Sequence, residues 1–235
     1  MKTYFDVIER AIRPFINELW ENCPSKLSLY VRGSSLIHTE ISTSKPLDID
    51  ILLFVHANKE QARLIARKIA KKCHKIYPLI PYLDIKIIDY SLETPESIFN
   101  TLLVSQTGQL LAGEDLSQPI SYFKNSSREL IQFSLDEAEA KFESVLKTSD
   151  LLIQNKRLPH LSKSILRIGG LLKLNEGVYV RSPSEGALAL CELSPKTLKD
   201  ITIILDSFEK QTPSEILFKS FVKILKMIKE EFCYD

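Results

Sequence analysis

Residues 31 to 51 read VRGSSLIHTEISTSKPLDIDI and contain the end of one apolar run, a Gly-Ser turn and the start of a second apolar run. The first run, residues 27 to 31, alternates in polarity and is followed by Gly33 and Ser34, which is typical of a buried strand that ends in a turn. The second run begins at Asp48, with thirteen residues between it and Ser34. We therefore predict two strands, with the Gly-Ser turn at the end of the first.

Asp48 and Asp50 open the second predicted strand, residues 48 to 55. Because side chains alternate along a strand, both carboxylates lie on one face, and Ile49 and Ile51 form the apolar opposite face. Neighbouring carboxylates repel each other, and a divalent ion offsets that cost, since hard cations such as Mg²⁺ bind carboxylate oxygens together with phosphates. An Asp-x-Asp pair alone also occurs as a turn cap or in solvent, so both interpretations stay open at this step.

A third carboxylate, Asp84, lies near the start of another β-branched run, residues 82 to 88. Lys86 falls on the same face of that predicted strand. Three acids on neighbouring strands would allow a two-metal site, in which the ions hold the attacking and leaving oxygens of an in-line displacement. A carboxylate of such a site can also take the proton from the attacking hydroxyl.

The order of these motifs resembles the nucleotidyltransferase superfamily that includes DNA polymerase beta. The resemblance implies that Asp48 and Asp50 hold Mg²⁺ or Mn²⁺, and that Asp84 is the third metal ligand or the general base. It also implies a turn that binds the triphosphate of an incoming NTP, made by Gly33, Ser34 and Ser35. Arg32, next to this turn, is either a phosphate contact or an ion-pair partner.

A weaker likeness extends past residue 90, where residues 108 to 116 and a helical C-terminal half are similar to minimal nucleotidyltransferases and aminoglycoside adenylyltransferases. In such families the helical domain contributes cations to the triphosphate. A basic run without an intervening acid supplies the candidates, namely Lys156, Arg157, Lys163, Arg167 and Lys173. Lys163 and Arg167 are four residues apart and therefore share one helix face. A solvated helix face is the alternative for these residues.

Periodicity and resemblance together predict an α+β fold: a small mixed β-sheet nucleotidyltransferase domain with flanking helices at residues 1 to 120, followed by an all-helical domain at 127 to 235. In the first domain we predict helices at 3 to 22, 58 to 77 and 95 to 107, and a short strand near 110. In the second we predict helices at 127 to 150, 157 to 175, 182 to 191, 194 to 209 and 213 to 233. Their predicted joints are Pro159, Gly177, Pro183, Pro195 and Pro213, and residues 118 to 127 are the predicted linker.

Composition sets broad limits on this chain of 235 residues, which carries 44% apolar residues and a formal net charge of +1. No apolar run approaches the ~20 residues needed to cross a bilayer, and the first residues lack a signal-peptide core, so we expect a cytoplasmic protein with no membrane partner. The cysteines are scattered and are expected to be reduced thiols. His38 is the one histidine near the motif, and an exposed loop position is the alternative to a role in the chemistry.

Two charged stretches have two interpretations each. The helix predicted at 58 to 77 carries five cations that either meet a polyanion such as nucleic acid or form an ordinary outer helix face: Arg63, Arg67, Lys68, Lys71 and Lys72. The helix predicted at 127 to 150 is rich in acids, which either hold a polycationic substrate or complement the helix dipole near its N-terminus.

The function that the sequence predicts is Mg²⁺-dependent transfer of a nucleoside monophosphate from an NTP, ATP first, to a hydroxyl, with release of pyrophosphate. A small-molecule or protein acceptor is favoured over an RNA 3′ end, because the catalytic region is short. The principal alternative is a nucleotide-binding or partner-binding module with the same fold and no turnover. The sequence does not predict which molecule within these classes is the acceptor, nor the oligomeric state.

Overall fold

A computed structural model of the chain describes residues 2 to 37, 46, 48 to 91, 93 to 148, 150 to 207 and 212 to 232, without the side chains of 151 to 156, 159 and 160. The chain divides into two compact units, Met1–Pro119 and Ile120–Asp235. Unit 1 contains a mixed sheet flanked by helices. The predicted α+β fold with a small mixed sheet is therefore confirmed.

The sheet of unit 1 has four strands in the order β3-β2-β1-β4. Their bounds are Lys26–Arg32 for β1, Asp48–Val55 for β2, Tyr82–Asp89 for β3 and Gln109–Gly113 for β4. β1 is antiparallel to both β2 and β4, whereas β2 and β3 run parallel. The end of β1 and the starts of β2, β3 and β4 consequently lie at one end of the sheet.

In the described part of unit 1, four helices accompany this sheet: α1 at Tyr4–Asn22, α2 at Ser34–Ile37, α3 at Lys59–Ile76 and α4 at Pro95–Thr107. Side chains alternate along β1, β2 and β3, so Val31, Ile51 and Ile87 lie on one face and form one core with α1 and α3. The other face carries a smaller core that includes Tyr30 and Phe54 and reaches α4. The acids of β2 lie on this second face, beyond the smaller core.

The start of α1 is held by a capping box. The backbone N–H of Thr3 donates to Asp6 at 2.7 Å, and the backbone N–H of Asp6 donates to the Thr3 hydroxyl at 3.2 Å. Such a cap contributes about 1 kcal/mol to stability. Pro14 lies inside the helix, as expected, and the apolar face on either side of it is buried.

The outer face of α3 is basic, with seven Lys and Arg residues against one Glu. Lys59 pairs with Glu96, Arg63 with Glu60 and Lys72 with Glu18. The four further cations of this helix are exposed, namely Arg67, Lys68, Lys71 and Lys75. The ion pairs show that part of the basic run is an ordinary helix face. The nucleic-acid interpretation stays a prediction.

Every element in the described part of unit 2 is a helix. The α-helices are α5 at Ser127–Leu146, α6 at Leu151–Leu172, α7 at Pro183–Leu193, α8 at Leu198–Asp206 and α9 at Ser214–Phe232. Short 3-10 helices lie at Ile120–Ser126, Lys173–Glu176 and Pro195–Thr197. Gly169 and Gly186 bring α6 and α7 together, because a Cβ on either would overlap the backbone of the other helix.

One prediction about the helical half is wrong. Pro159 is not a joint, because α6 continues through it; the side chains of Leu158 and Leu161 are buried on either side, and this burial outweighs the loss of one backbone hydrogen bond.

The boundary between the two units lies within the predicted linker, residues 118 to 127. Within this stretch, Ile120–Ser126 forms a 3-10 helix that contacts α5, and its Phe123 is fully buried.

None of the helices in the described ranges is long and apolar enough to span a membrane. Cys23, Cys73 and Cys191 are free thiols, as expected, and Cys233 lies outside the described residues. Burial raises the pKa of Cys23 to about 11. Its thiol therefore stays protonated near neutral pH and acts as a small apolar group in the core.

Candidate functional site

Three charged residues form a row across three neighbouring strands at one end of the sheet. Asp50 on β2 pairs in register with Arg32 on the antiparallel β1 and with Asp84 on the parallel β3. Register partners on adjacent strands point to the same face. The guanidinium of Arg32 and the two carboxylates are consequently neighbours at the end of the sheet where β1 finishes and β2 and β3 begin.

Asp48 joins this row two residues before Asp50. A carboxylate oxygen from each of Asp48, Asp50 and Asp84 can be chosen so that the three atoms lie within 4.8 Å of one another. Asp48 and Asp50 are half-buried, while Asp84 is exposed. The structure thus brings together all three acids that the sequence singled out, and leaves them accessible to a ligand from solvent.

Gly33 lies against Asp50. Its φ is +90°, in the region that favours glycine, and a Cβ at this position would overlap Oδ2 of Asp50. The Gly-Ser turn and the Asp-x-Asp motif are therefore one structural unit, although thirteen residues separate Ser34 from Asp48. Any larger residue at position 33 would displace the carboxylate that stands in the middle of the row.

The two serines after Gly33 differ in their surroundings. Ser35 is fully buried, and its hydroxyl donates to the carbonyl of Arg32 at 3.4 Å, so it holds the turn that leads into α2. Ser34 is half-buried. Contact of either serine with a phosphate stays a prediction. His38 lies outside the described residues.

The charged groups around Asp84 have opposite effects on the pKa of its carboxyl. Although residue Asp84 is exposed, the surrounding protein partly desolvates its carboxyl and so raises its pKa; the negative charge of Asp50 raises the pKa further, while Arg32 and Lys86 act to lower it. The net result is a raised pKa, because desolvation and the neighbouring acid outweigh the cations. Asp84 is therefore a stronger base than an isolated aspartate.

Arg32 has an unusual environment for a guanidinium. Its side chain is 16% exposed, and among the described residues it forms an ion pair with Asp50, whose Oδ1 lies 4.0 Å from a terminal nitrogen of the guanidinium. Its Nε is buried and has no hydrogen-bond partner among the described residues. The ion-pair interpretation of Arg32 is thus supported, although the contact is longer than a hydrogen bond.

A second network lies beyond Asp84 on the same face. Glu96, in the first turn of α4, accepts a hydrogen bond from Lys59 at 2.9 Å and lies 3.4 Å from Lys86. Glu96 therefore offsets the charge of Lys86, the other cation near Asp84. Sequence reasoning missed Glu96, because only the packing of α4 beside β3 brings it to Lys86.

Lys163 and Arg167 lie on α6 in unit 2 and are half-buried. Lys173, at the end of the same basic run, is engaged by Glu192 at 2.6 Å and Glu176 at 3.6 Å. The hydrogen bond that Lys173 donates to Glu192, together with the negative charges of Glu176 and Glu192, raises the pKa of Lys173. This ion-paired end of the run is a structural feature, and a phosphate-binding role for Lys163 and Arg167 stays a prediction.

The acids predicted for a polycationic substrate lie on α5, and three of them form ion pairs within unit 2. Glu139 pairs with Lys229 of α9 at 2.6 Å. Two more pairs lie along α5 itself, Glu137 with Lys141 at 3.4 Å and Glu143 with Lys147 at 3.1 Å. Such i,i+4 pairs stabilise a helix by about 0.2–0.5 kcal/mol each. The substrate-binding interpretation of this stretch stays a prediction.

The chemistry of the three-aspartate set fits a hard divalent cation, because it offers carboxylate oxygens alone, close together and open to a phosphate-bearing ligand. Comparisons of the sequence with protein-family models and with curated proteins gave no match. The resemblance to nucleotidyltransferases therefore rests on the motif residues and on their arrangement in unit 1.

Proposed function

We propose that this protein is a metal-dependent nucleotidyltransferase, which moves a nucleoside monophosphate from an NTP to a hydroxyl and releases pyrophosphate. One observation carries the proposal. Asp50 and Asp84 are register partners on parallel strands, with Asp48 on the same face and Gly33 packed against Asp50. This arrangement joins a carboxylate set suited to Mg²⁺ with a turn in which only glycine fits.

In the proposed reaction, Asp48, Asp50 and Asp84 hold Mg²⁺ or Mn²⁺. A divalent ion bound there supplies positive charge to the phosphates and lowers the pKa of an acceptor hydroxyl. The backbone of Gly33 and the hydroxyl of Ser34 bind the β- and γ-phosphates, and Ser35 keeps the turn in place. Lys163 and Arg167 are proposed as cations for the triphosphate.

Asp84 is the proposed general base. Of the three acids it is the exposed one, so an acceptor hydroxyl can reach its carboxylate from solvent. The acceptor oxygen attacks the α-phosphorus while its proton passes to Asp84, and the bond from the α-phosphorus to the bridging oxygen of pyrophosphate breaks. Orientation of the acceptor oxygen in line with that bond is the contribution of the protein.

The proposed acceptor is a small molecule or a protein, and ATP is the proposed nucleotide donor. The four-stranded sheet of unit 1 is small, and the described part of unit 2 is helical, an organisation that suits a compact acceptor better than a long nucleic-acid track. An RNA 3′ end and a second nucleotide are the remaining acceptor classes. The cytoplasm is the proposed location.

The proposal is tested by transfer of label from α-³²P NTPs in the presence of Mg²⁺ or Mn²⁺ to a cell extract separated into protein, RNA and small molecules. Wild type is compared with Asp50→Asn and with Asp89→Asn as the matched control. Asp89 is an exposed carboxylate at the far end of β3, away from the three acids. Label in one fraction with wild type and Asp89→Asn, and none with Asp50→Asn, supports the proposal and names the acceptor class.

Absence of label in every fraction, with nucleotide still bound, would replace the proposal with the binding module that has no turnover. Retained transfer in Asp50→Asn would remove the three-aspartate set from the chemistry, whatever reaction the protein performs.

A further inference from the structure

Arg32 is the cation closest in sheet register to the middle acid of the three-aspartate set. Its Cα is paired with that of Asp50 across β1 and β2, so both side chains leave the same face of the sheet. Asp84 occupies the corresponding position on the other side of Asp50. Arg32 therefore belongs to the same row as two of the three proposed metal ligands.

Arg32 and Asp50 are close enough to interact electrostatically but too far apart to form a hydrogen bond. At 4.0 Å the guanidinium is within ion-pair range of the Asp50 carboxylate and beyond hydrogen-bond range. The positive charge of Arg32 thus acts on Asp50 without occupying the oxygen lone pairs that a metal ion needs. Its influence reaches further, since Arg32 is one of the cations that lower the pKa of Asp84.

The charge of Arg32 is compensated less than that of the other nearby cation. Lys86, two residues after Asp84, lies 3.4 Å from Glu96, a carboxylate that also binds Lys59. Among the described residues, Asp50 is the one ion-pair partner of Arg32. Arg32 is also 16% exposed, so water screens its charge only in part.

We propose that Arg32 is a fixed counter-charge within the three-aspartate set, which weakens the binding of a free divalent cation and favours a cation that arrives with a polyphosphate. This inference rests on the proposed function. Three carboxylates and one guanidinium leave two negative charges, which one divalent ion neutralises. A second ion is then bound only when the phosphates of the nucleotide bring further negative charge.

The proposal predicts effects of opposite sign on two ligands. Removing the charge of Arg32 makes the site more negative, so free Mn²⁺ binds more tightly. The same change makes metal-free ATP bind more weakly, because the polyphosphate loses an attractive charge. A merely structural role for Arg32 would predict that damage to the site weakens both ligands together.

The test measures Mn²⁺ binding by the electron paramagnetic resonance signal of free Mn²⁺, and ATP binding in EDTA by calorimetry, with the full chain. Arg32→Gln is expected to bind Mn²⁺ about tenfold more tightly and ATP several-fold more weakly than wild type. Arg32→Lys, which keeps the charge, should remain close to wild type. Arg32→Met, which keeps the aliphatic stem, provides a second neutral variant if Arg32→Gln does not fold.

Arg13→Gln is the matched control, because Arg13 forms a surface ion pair with Glu9 on α1 and should leave both affinities unchanged. Equal Mn²⁺ affinities in wild type and the neutral Arg32 variants, or shifts of the same direction for both ligands, would overturn the role of Arg32. The Asp50→Asn variant tests the metal site itself, and so distinguishes a wrong role for Arg32 from a wrong proposed function. If Mn²⁺ binds with or without Asp50, or does not bind even with ATP, the metal site itself is wrong, and Arg32 has no role there.

Discussion

Asp50 and Asp84 are register partners on the parallel strands β2 and β3, and their carboxylates lie on one face of the sheet. Like charges directly opposite each other on neighbouring strands destabilise a sheet. Here the pair is accompanied by a third acid, Asp48, and by one partly buried cation, Arg32. A divalent ion bound among these carboxylates would offset their repulsion.

Asp84→Asn is predicted to leave the metal-free protein as stable as wild type or more stable, because one negative charge leaves the row. Wild type is predicted to gain stability with Mg²⁺, by about 2.7 kcal/mol at a concentration of 100 times Kd, and the variant to gain little. Thermal unfolding with Mg²⁺ or EDTA measures both effects. Asp89→Asn should respond to Mg²⁺ as wild type does, and an equal Mg²⁺ response in Asp84→Asn would contradict the assignment.

Gly33→Ala is predicted to destabilise the protein by roughly 1–3 kcal/mol and to lower its affinity for Mn²⁺. The reason is the φ of +90° together with the overlap of a Cβ with Asp50. Urea unfolding measures the first effect and a Mn²⁺ titration the second. Ser34→Ala is the neighbouring control and should cost far less stability. Unchanged Mn²⁺ affinity in Gly33→Ala would show that the turn does not position Asp50.

Glu96→Gln is predicted to lower stability at neutral pH by less than about 1 kcal/mol, because the carboxyl is partly exposed. Burial acts to raise the pKa of Glu96, but the hydrogen bond from Lys59 and the charge of Lys86 outweigh it, and the pKa is lowered. The stabilisation is therefore present above the ordinary pKa of a glutamate and lost as the pH falls through the lowered value. Unfolding curves of wild type and variant should converge in acid; a difference that persists at low pH would contradict the ion-pair explanation.

Tyr30→Phe is predicted to destabilise unit 1 by about 1–3 kcal/mol, because the Tyr30 hydroxyl accepts a hydrogen bond from the buried N–H of Leu116 and donates to Asp115. Burial raises the pKa of Tyr30 to about 12. Its stabilisation is fully present below the ordinary tyrosine pKa of 10.0 and is lost as the pH rises through about 12. The free energy of unfolding should therefore fall less steeply with rising alkaline pH in the variant than in wild type. Equal pH profiles would refute the stabilising role of the Tyr30 hydroxyl.

The strands and the acids were predictable because their signals are local. The alternation of Asp and Ile at residues 48 to 51, followed by the apolar residues 52 to 55, marks a largely buried strand with two acids on one face at its start, and β2 has those bounds. The helical spacing that predicted α1 and α3 is likewise contained in about twenty consecutive residues. Local periodicity of this kind needs no knowledge of neighbouring elements.

Relations between elements could not be predicted in the same way. The pairing of Asp50 with Asp84 depends on how α3 returns the chain to a parallel strand, and the overlap of Gly33 with Asp50 depends on the turn geometry. The predicted helix break at Pro159 was wrong, because helix propensity includes the lost hydrogen bond but not the burial of Leu158 and Leu161. The role of Arg32 likewise depends on a register that no short stretch of sequence contains.

The measurement that tests the central claim most directly is transfer from ATP labelled at either the α- or the γ-phosphate, with Mg²⁺ and the acceptor fraction. Nucleotidyl transfer moves the α-phosphorus to the acceptor and releases the γ-phosphorus in pyrophosphate. We expect label on the acceptor from α-³²P ATP only, with wild type and Asp89→Asn but not with Asp50→Asn. Label from γ-³²P ATP on the acceptor, or transfer that survives in Asp50→Asn, would contradict the account.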